Sequence, residues 1–302
     1  MKKSLSTHTA RGRESVAVCL AILCLGLAGC GKPFERIQPG VRVDAGWDDY
    51  RLGEFSLALK EFQAASADAI PGSAVHLEAL YGEATTWCLR RPDEDLERAA
   101  RLFHEVIDLA PTNSMAAWSW LALARIKALP VDGEAPALRP QLDAYQEVIR
   151  RFPFHAAGEE AFLMQQAAKL GTPDATQARE ALAALQEFIK THSGSPWRCA
   201  AYGLIVHCCT ILGLDDLRLE AMMQAWKTAE IDPINPVQDL SWTYWQIATI
   251  AEFNAGDFAT AREYYRKLIA EYPTEQRVFL AKQELKRMDD LEARLRAEGT
   301  AP

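Results

Sequence analysis

The sequence is short of the side chains that do covalent and redox chemistry. Its 302 residues include six histidines and seven cysteines, and 33 basic side chains stand against 41 acidic ones, a net charge of −8. An acidic surface repels phosphate backbones and anionic headgroups, so nucleic acid is not an expected partner. Gly-x-Ser-x-Gly, a complete His-Glu-x-x-His, Cys-x-x-Cys and a glycine-rich phosphate loop are all missing, which removes the usual sequence signals of acyl transfer, zinc hydrolysis, dithiol redox chemistry and nucleotide binding. Glu159-Glu160 and Asp215-Asp216 are adjacent on helical stretches and point about 100° apart, so they do not converge as an acid–base pair. The expectation is no catalytic residue, no metal, no cofactor and no small-molecule substrate.

Long hydrophobic runs are also missing. The best is Val16 to Leu27, and a membrane-spanning helix takes about 20 residues. Lys2, Lys3, Arg11 and Arg13 precede this run and Leu27-Ala28-Gly29-Cys30 ends it, the layout of a secretory signal. The four closing residues resemble the lipobox of bacterial lipoproteins. That resemblance implies cleavage before Cys30, acylation of Cys30, and, with Gly31 rather than aspartate next, an outer-membrane destination. The alternative is an ordinary signal in which Cys30 carries no lipid. Losing residues 1–29 takes the chain from 33 basic and 41 acidic side chains to 29 and 40, a net charge of −11, so attachment to a membrane has to come from lipid rather than a basic patch. Residues 30–43 hold Pro33 and Pro39 without helical periodicity and are expected to be a tether.

What the sequence has in abundance is amphipathic helix. Trp242 to Pro273 predicts two helices folded at Gly256-Asp257: Trp245, Ala248, Ala251 and Ala255 give the first an apolar face, and Ala261, Tyr264, Tyr265, Leu268 and Ile269 give the second. Glycine can take the left-handed conformation that reverses the chain, and Asp257 can cap the next helix. The closing proline recurs backwards as Pro233, Pro153 and Pro111, at separations of 40, 80 and 42 residues, with Ser193 midway in the double gap. Ala58 with Phe62 and Ala99 with Phe103 repeat the alanine-to-aromatic step of Ala261 with Tyr265.

Trp245, Gly256, Phe258, Ala261, Tyr265, Leu268 and Pro273 resemble the tetratricopeptide repeat (TPR) pattern. The resemblance implies an all-α fold: an α-solenoid of about six TPR-like helical hairpins with a period of about 40 residues, longer than the usual ~34. Residues 44–297 would form it, Val278 to Arg296 would cap it, and 298–302 would be a disordered tail.

Within that frame, Cys88, Cys199, Cys208 and Cys209 are expected to pack as small apolar side chains, because Cys199 and Cys208 are too far apart on one helix to bond and a Cys208-Cys209 bridge would be strained. His207 beside Cys208 and Cys209 is the competing metal reading. His104-Glu105-Val106-Ile107-Asp108 lacks the second histidine of the zinc motif, and Phe103 and Val106 take the core face, leaving His104 and Asp108 outside. Thr172-Pro173 reads as a helix start. Pro130 to Pro140 is either a tolerated loop or part of a binding side. Trp118 and Trp120 point about 200° apart and cannot enter one interface together.

Together with the lipobox, the stretches from Asp143 to Gln166 and from Thr260 to Pro273 resemble outer-membrane TPR lipoproteins, including that of the β-barrel assembly machinery. This implies a non-catalytic, lipid-anchored scaffold on the periplasmic face of the outer membrane, binding a protein or peptide on a concave face lined by first helices. Trp120, Tyr202, Tyr244 and Gln246 are the residues expected there, or else the aromatics fill the extra length of each repeat. The alternative function is a membrane-tethered envelope hydrolase with an unrecognised site. Cys30→Ser is expected to leave the repeats folded while moving the protein from the membrane fraction to the soluble periplasm; sedimentation with membranes after a high-salt wash would refute the lipobox.

Overall fold

Capping residues divide the chain. The computed structural model describes residues 37–89, 95–129, 137–229 and 239–298, and among them thirteen α-helices follow one another without a strand. They pair in order: α1 (Pro39–Leu52) with α2 (Phe55–Asp68), α3 (Ala74–Leu89) with α4 (Leu96–Leu109), α5 (Ser114–Lys127) with α6 (Leu138–Arg151), and α7 (Ala156–Lys169) with α8 (Ala175–Thr191). Then α9 (Arg198–Leu212) pairs with α10 (Asp215–Thr228), and α11 (Ser241–Ile250), prolonged by a π turn (Ala251–Ala255), pairs with α12 (Phe258–Glu271). A last helix, α13 (Arg277–Ala297), follows. This is the expected all-α repeat fold of six hairpins and a closing helix, and no helix among the described residues is long and apolar enough to cross a membrane.

The turns are where the residue types put them. Gly53, Gly213 and Gly256 end first helices at φ of 83°, 66° and 70°, a region closed to most residues with a Cβ. Asp257 accepts from the Thr260 N–H at 3.0 Å, as Asp95 does from Arg98 at 2.8 Å and Asp174 from Gln177 at 2.7 Å. The start expected at Thr172-Pro173 therefore falls at Asp174, whose carboxylate reaches the third residue on, as a cap must. A second correction concerns the tether. Pro39 does not interrupt structure but opens α1, because at the first helical position proline's missing N–H is not needed. Val43, expected in the tether, is buried with Ala65 and Ala79.

The described residues fall into two compact units that divide between Gly82 and Glu83. In the first, Phe62 of α2 is fully buried between two glycines: a Cβ on Gly46 of α1 or Gly82 of α3 would lie 2.7 or 2.6 Å from its ring. Trp47 meets the same ring edge-on at 4.9 Å and donates its indole N–H to Glu78 at 3.1 Å.

In the second unit, α6, α8, α10 and α12 each pack on the first helix of their pair, and consecutive first helices α5, α7 and α9 also touch. Their starts are tied across the repeat: Ser114 Oγ lies 2.9 Å from His155 Nε2, and Trp197 donates its indole N–H to the Ala156 carbonyl at 2.9 Å. The closing helix buries Val278, Ala281 and Met288, covering the face that α11 and α12 would otherwise expose, and Arg262 of α12 reaches Glu292 at 2.7 Å and Asp289 at 3.2 Å on it.

Gly82→Ala is expected to destabilise the protein by about 1–3 kcal/mol of overpacking, less the helix-propensity gain of ~1 kcal/mol. Gly40→Ala, whose Cβ would meet only Val75 at 4.0 Å, should stabilise it. Urea midpoints that move in the same direction for both would contradict the sandwich around Phe62.

Candidate binding grooves

Two kinds of groove follow from the repeat geometry of residues 83–302. One kind opens between consecutive second helices with a first helix as floor. Trp120 lies in such a groove of ≈ 380 Å³ between α4 and α6, with Leu123 and Ala124 of its own helix and Ala144 opposite. The Arg151 guanidinium stands 4.4 Å over its ring. Arg150 and Arg151 both hold the exposed carboxylate of Glu147, at 2.8 and 2.6 Å, and bring its pKa down to about 2. Tyr202 lies in the equivalent groove between α8 and α10, near Lys190 and Glu220.

The other kind opens between consecutive first helices with a second helix as floor. Gln246 and Thr243 of α11, Gly203 and Cys199 of α9, and Met222 and Trp226 of α10 form one of ≈ 410 Å³, and among the described residues no charged side chain lines it. Gly203 is exposed in mid-helix, with open space where a Cβ would go.

The four side chains expected on one face therefore separate. Gln246 is on the first-helix side, while Trp120 and Tyr202 face the second-helix side. Tyr244 presents no surface: it is 3 % exposed, enclosed by Trp226, Tyr264 and Tyr272 at 6.0, 5.8 and 6.1 Å, and donates its hydroxyl to Glu271 at 3.0 Å. The correction has a simple cause. A first helix between two second helices buries more than one stripe, so an aromatic on it can face the core on a side that an amphipathic projection leaves open. Trp118 and Trp120 do diverge as expected, Trp118 turning to His155 at 5.6 Å. Cys30, and residues 130–136 of the insertion, lie outside the described residues.

The cysteines pack as expected. Cys88, Cys208 and Cys209 are buried, Cys199 is half-buried, and no disulfide joins any of the four; burial pushes Cys208 up to about 11. His207 is exposed while both neighbours are fully buried, which separates the three proposed ligands. His104 and Asp108 are exposed and Phe103 and Val106 buried, with His104 Nδ1 2.8 Å from the Ala100 carbonyl oxygen.

Buried glutamates on first helices were not legible in the sequence. Glu83 of α3 accepts from Arg98 at 3.0 Å and from the Trp87 indole at 3.3 Å, Glu160 of α7 pairs with Arg125 of α5, and Glu252 in the π turn pairs with Arg287 of α13 and accepts the Tyr265 hydroxyl at 2.9 Å. Each looks like an ordinary surface glutamate until its partner, far away in sequence, is placed.

A family model described as tetratricopeptide repeat matches residues 243–274, the span of α11, the π turn and α12. That span matches a tetratricopeptide repeat. Among solved structures, the TPR domain of P58(IPK) is similar at 17 % identity, with 86 % of this chain and 68 % of that chain covered and a TM-score of 0.31. No curated protein matches. Helical repeats of this type form protein-interaction surfaces in general, and these grooves are concave, largely apolar and open.

Glu252 yields a pH prediction. Burial is the main cause of its raised pKa, opposed by the Tyr265 hydroxyl and Arg287. A carboxyl with a raised folded pKa holds its proton more tightly folded than unfolded, so its stabilising contribution is full below the ordinary glutamate pKa and is lost as pH rises through the folded value. Glu252→Gln keeps an acceptor for Tyr265 and is expected to flatten that part of the stability profile without weakening the fold at neutral pH, measured as urea midpoint against pH. An unchanged slope would count against the burial effect.

Proposed function

We propose that this protein is a non-catalytic scaffold, held by lipid on Cys30 at the periplasmic face of a bacterial outer membrane, that grips a protein or peptide segment in the groove between its first helices. The observation that carries the reading is the groove between α9 and α11, whose lining among the described residues is uncharged. Gly203 removes a side chain from its wall, Ala225 of α10 and Ala229 just after it keep the floor low, and Met222 and Trp226 supply apolar contact beside the Gln246 amide. Small side chains let a partner backbone approach, Trp226 offers a large rigid contact at little entropic cost, and an amide can donate to and accept from a peptide bond. An uncharged lining selects a segment that is itself uncharged where it enters, because burying an unpaired charge there would be unfavourable.

The tether is supported by the basic start, the short apolar run and Leu27-Ala28-Gly29-Cys30. Outer-membrane protein assembly is the process suggested by the resemblance to TPR lipoproteins, and capture of the partner from crosslinked membranes would identify it. Gly203→Leu tests the groove. Replacing a mid-helix glycine in open space is expected to stabilise the fold by roughly 0.5–1 kcal/mol while blocking the groove, so the melting temperature should rise as crosslinked partner is lost. Wild-type capture by the Gly203→Leu protein would remove this groove from the proposal.

A further inference from the structure

A third groove, of ≈ 300 Å³, lies on the opposite, second-helix side, where α6 ends against α7 and α8, and its walls differ from those above. Three rings make one wall: Phe162 stacks on Phe188 at 5.1 Å and 13°, and Phe188 on His192 at 4.5 Å and 14°. A fourth ring, Phe154, stands beside them in the α6–α7 turn, 91 % exposed. Its position is unfavourable in water and contributes nothing to the core. The turn itself is held firmly against α7, because Gly158 approaches so closely that a Cβ would overlap the Phe152 carbonyl.

The groove's charges have one sign. Glu159 and Glu187 line it, and no lysine or arginine does. Glu187 has Lys190 at 3.7 Å outside the lining, in an exposed pair, which is weak. Glu159 is different: its Oε2 is closed off from solvent and has no hydrogen-bond partner. A half-buried carboxylate with one oxygen unpartnered, beside the exposed Phe154 ring and the edge of the stacked rings, complements a side chain with a long apolar stem and a cationic head. Ring faces attract cations, and a charged donor to the carboxylate makes a strong hydrogen bond.

We propose that this groove takes an arginine or lysine side chain from a basic segment of a partner protein, the stem lying along Phe154 and Phe162 and the cation meeting the carboxylate of Glu159. The net charge of −8 favours encounter with such a segment. This is a second docking surface, separate in position and in ligand chemistry from the uncharged first-helix groove, and it stands whether or not that groove is used.

The test is fluorescence anisotropy of the full chain with a short labelled peptide alternating arginine and alanine, and with the same peptide carrying citrulline, which keeps the shape and removes the charge. The arginine peptide is expected to bind about tenfold tighter, Glu159→Gln to cancel most of that gain, and Phe154→Ser, which alters no core contact, to weaken binding about threefold or more. Glu97→Gln, an exposed carboxylate on α4, and Gly203→Leu should leave binding unchanged. The proposal is overturned if the citrulline peptide binds equally well, if Phe154→Ser with intact circular dichroism binds as wild type, or if Glu97→Gln weakens binding as much as Glu159→Gln does. It is equally overturned if sedimentation shows a self-associated protein that Phe154→Ser dissociates and the peptide does not.

Discussion

Close approach of paired helices is the constraint on which the rest of this fold depends. Two helices pack tightly only where one of them offers almost no side chain at the crossing. Ala58, Ala99 and Ala261 are fully buried on second helices, and one turn on each precedes an equally buried ring, Phe62, Phe103 or Tyr265. Alanine lets the backbones meet, and the ring fills the wedge that opens as the helices diverge. In residues 1–82 the requirement is stricter still, since Phe62 needs glycine on both sides of its ring.

Helices drawn this close have few ways to fix their register, because apolar contacts between small side chains tolerate sliding. The buried glutamates supply directional constraints. Glu160 with Arg125 joins first helices of neighbouring hairpins, and Glu252 joins α11 to the closing helix through Arg287. Such pairs add little net stability over apolar packing, but an unpaired buried carboxylate is costly, so a slipped register is disfavoured. The π turn around Glu252 fits this pattern. One extra residue in the helical ladder accompanies a side chain that meets Tyr265 and Arg287 together.

The grooves are by-products of the same packing. Consecutive first helices leave a channel on one side and consecutive second helices leave channels on the other, and composition then distinguishes them. Gly203 and the α10 alanines leave an uncharged slot, Arg151 folded over Trp120 partly fills its own groove, and Glu159 among phenylalanines makes an acidic one. A single scaffold thus carries surfaces of different chemistry on its two sides.

The hairpins were legible in the sequence because local chemistry sets them. Gly256 and Asp257 mark a turn and a cap whatever surrounds them, and the Ala261, Tyr264, Tyr265 and Leu268 stripe is a property of 3.6 residues per turn. Pro39 misled for the same local reason: proline breaks a helix inside it and opens one at its start, and only the burial of Val43 tells the two apart. Which face of a first helix is open was not legible. Tyr244 and Gln246 are two residues apart on one helix, and neighbours from α10 and α12 enclose the first while the second borders a groove. The sequence by itself determined where helices begin, turn and pair, since those depend on backbone conformation and hydrogen bonds within a few residues. Only the tertiary structure decided which aromatics are core, which glutamates are buried and which grooves carry charge, because these depend on side chains from other helices, as Glu83 with Arg98, Tyr244 with Glu271 and Glu252 with Arg287 are 15, 27 and 35 apart.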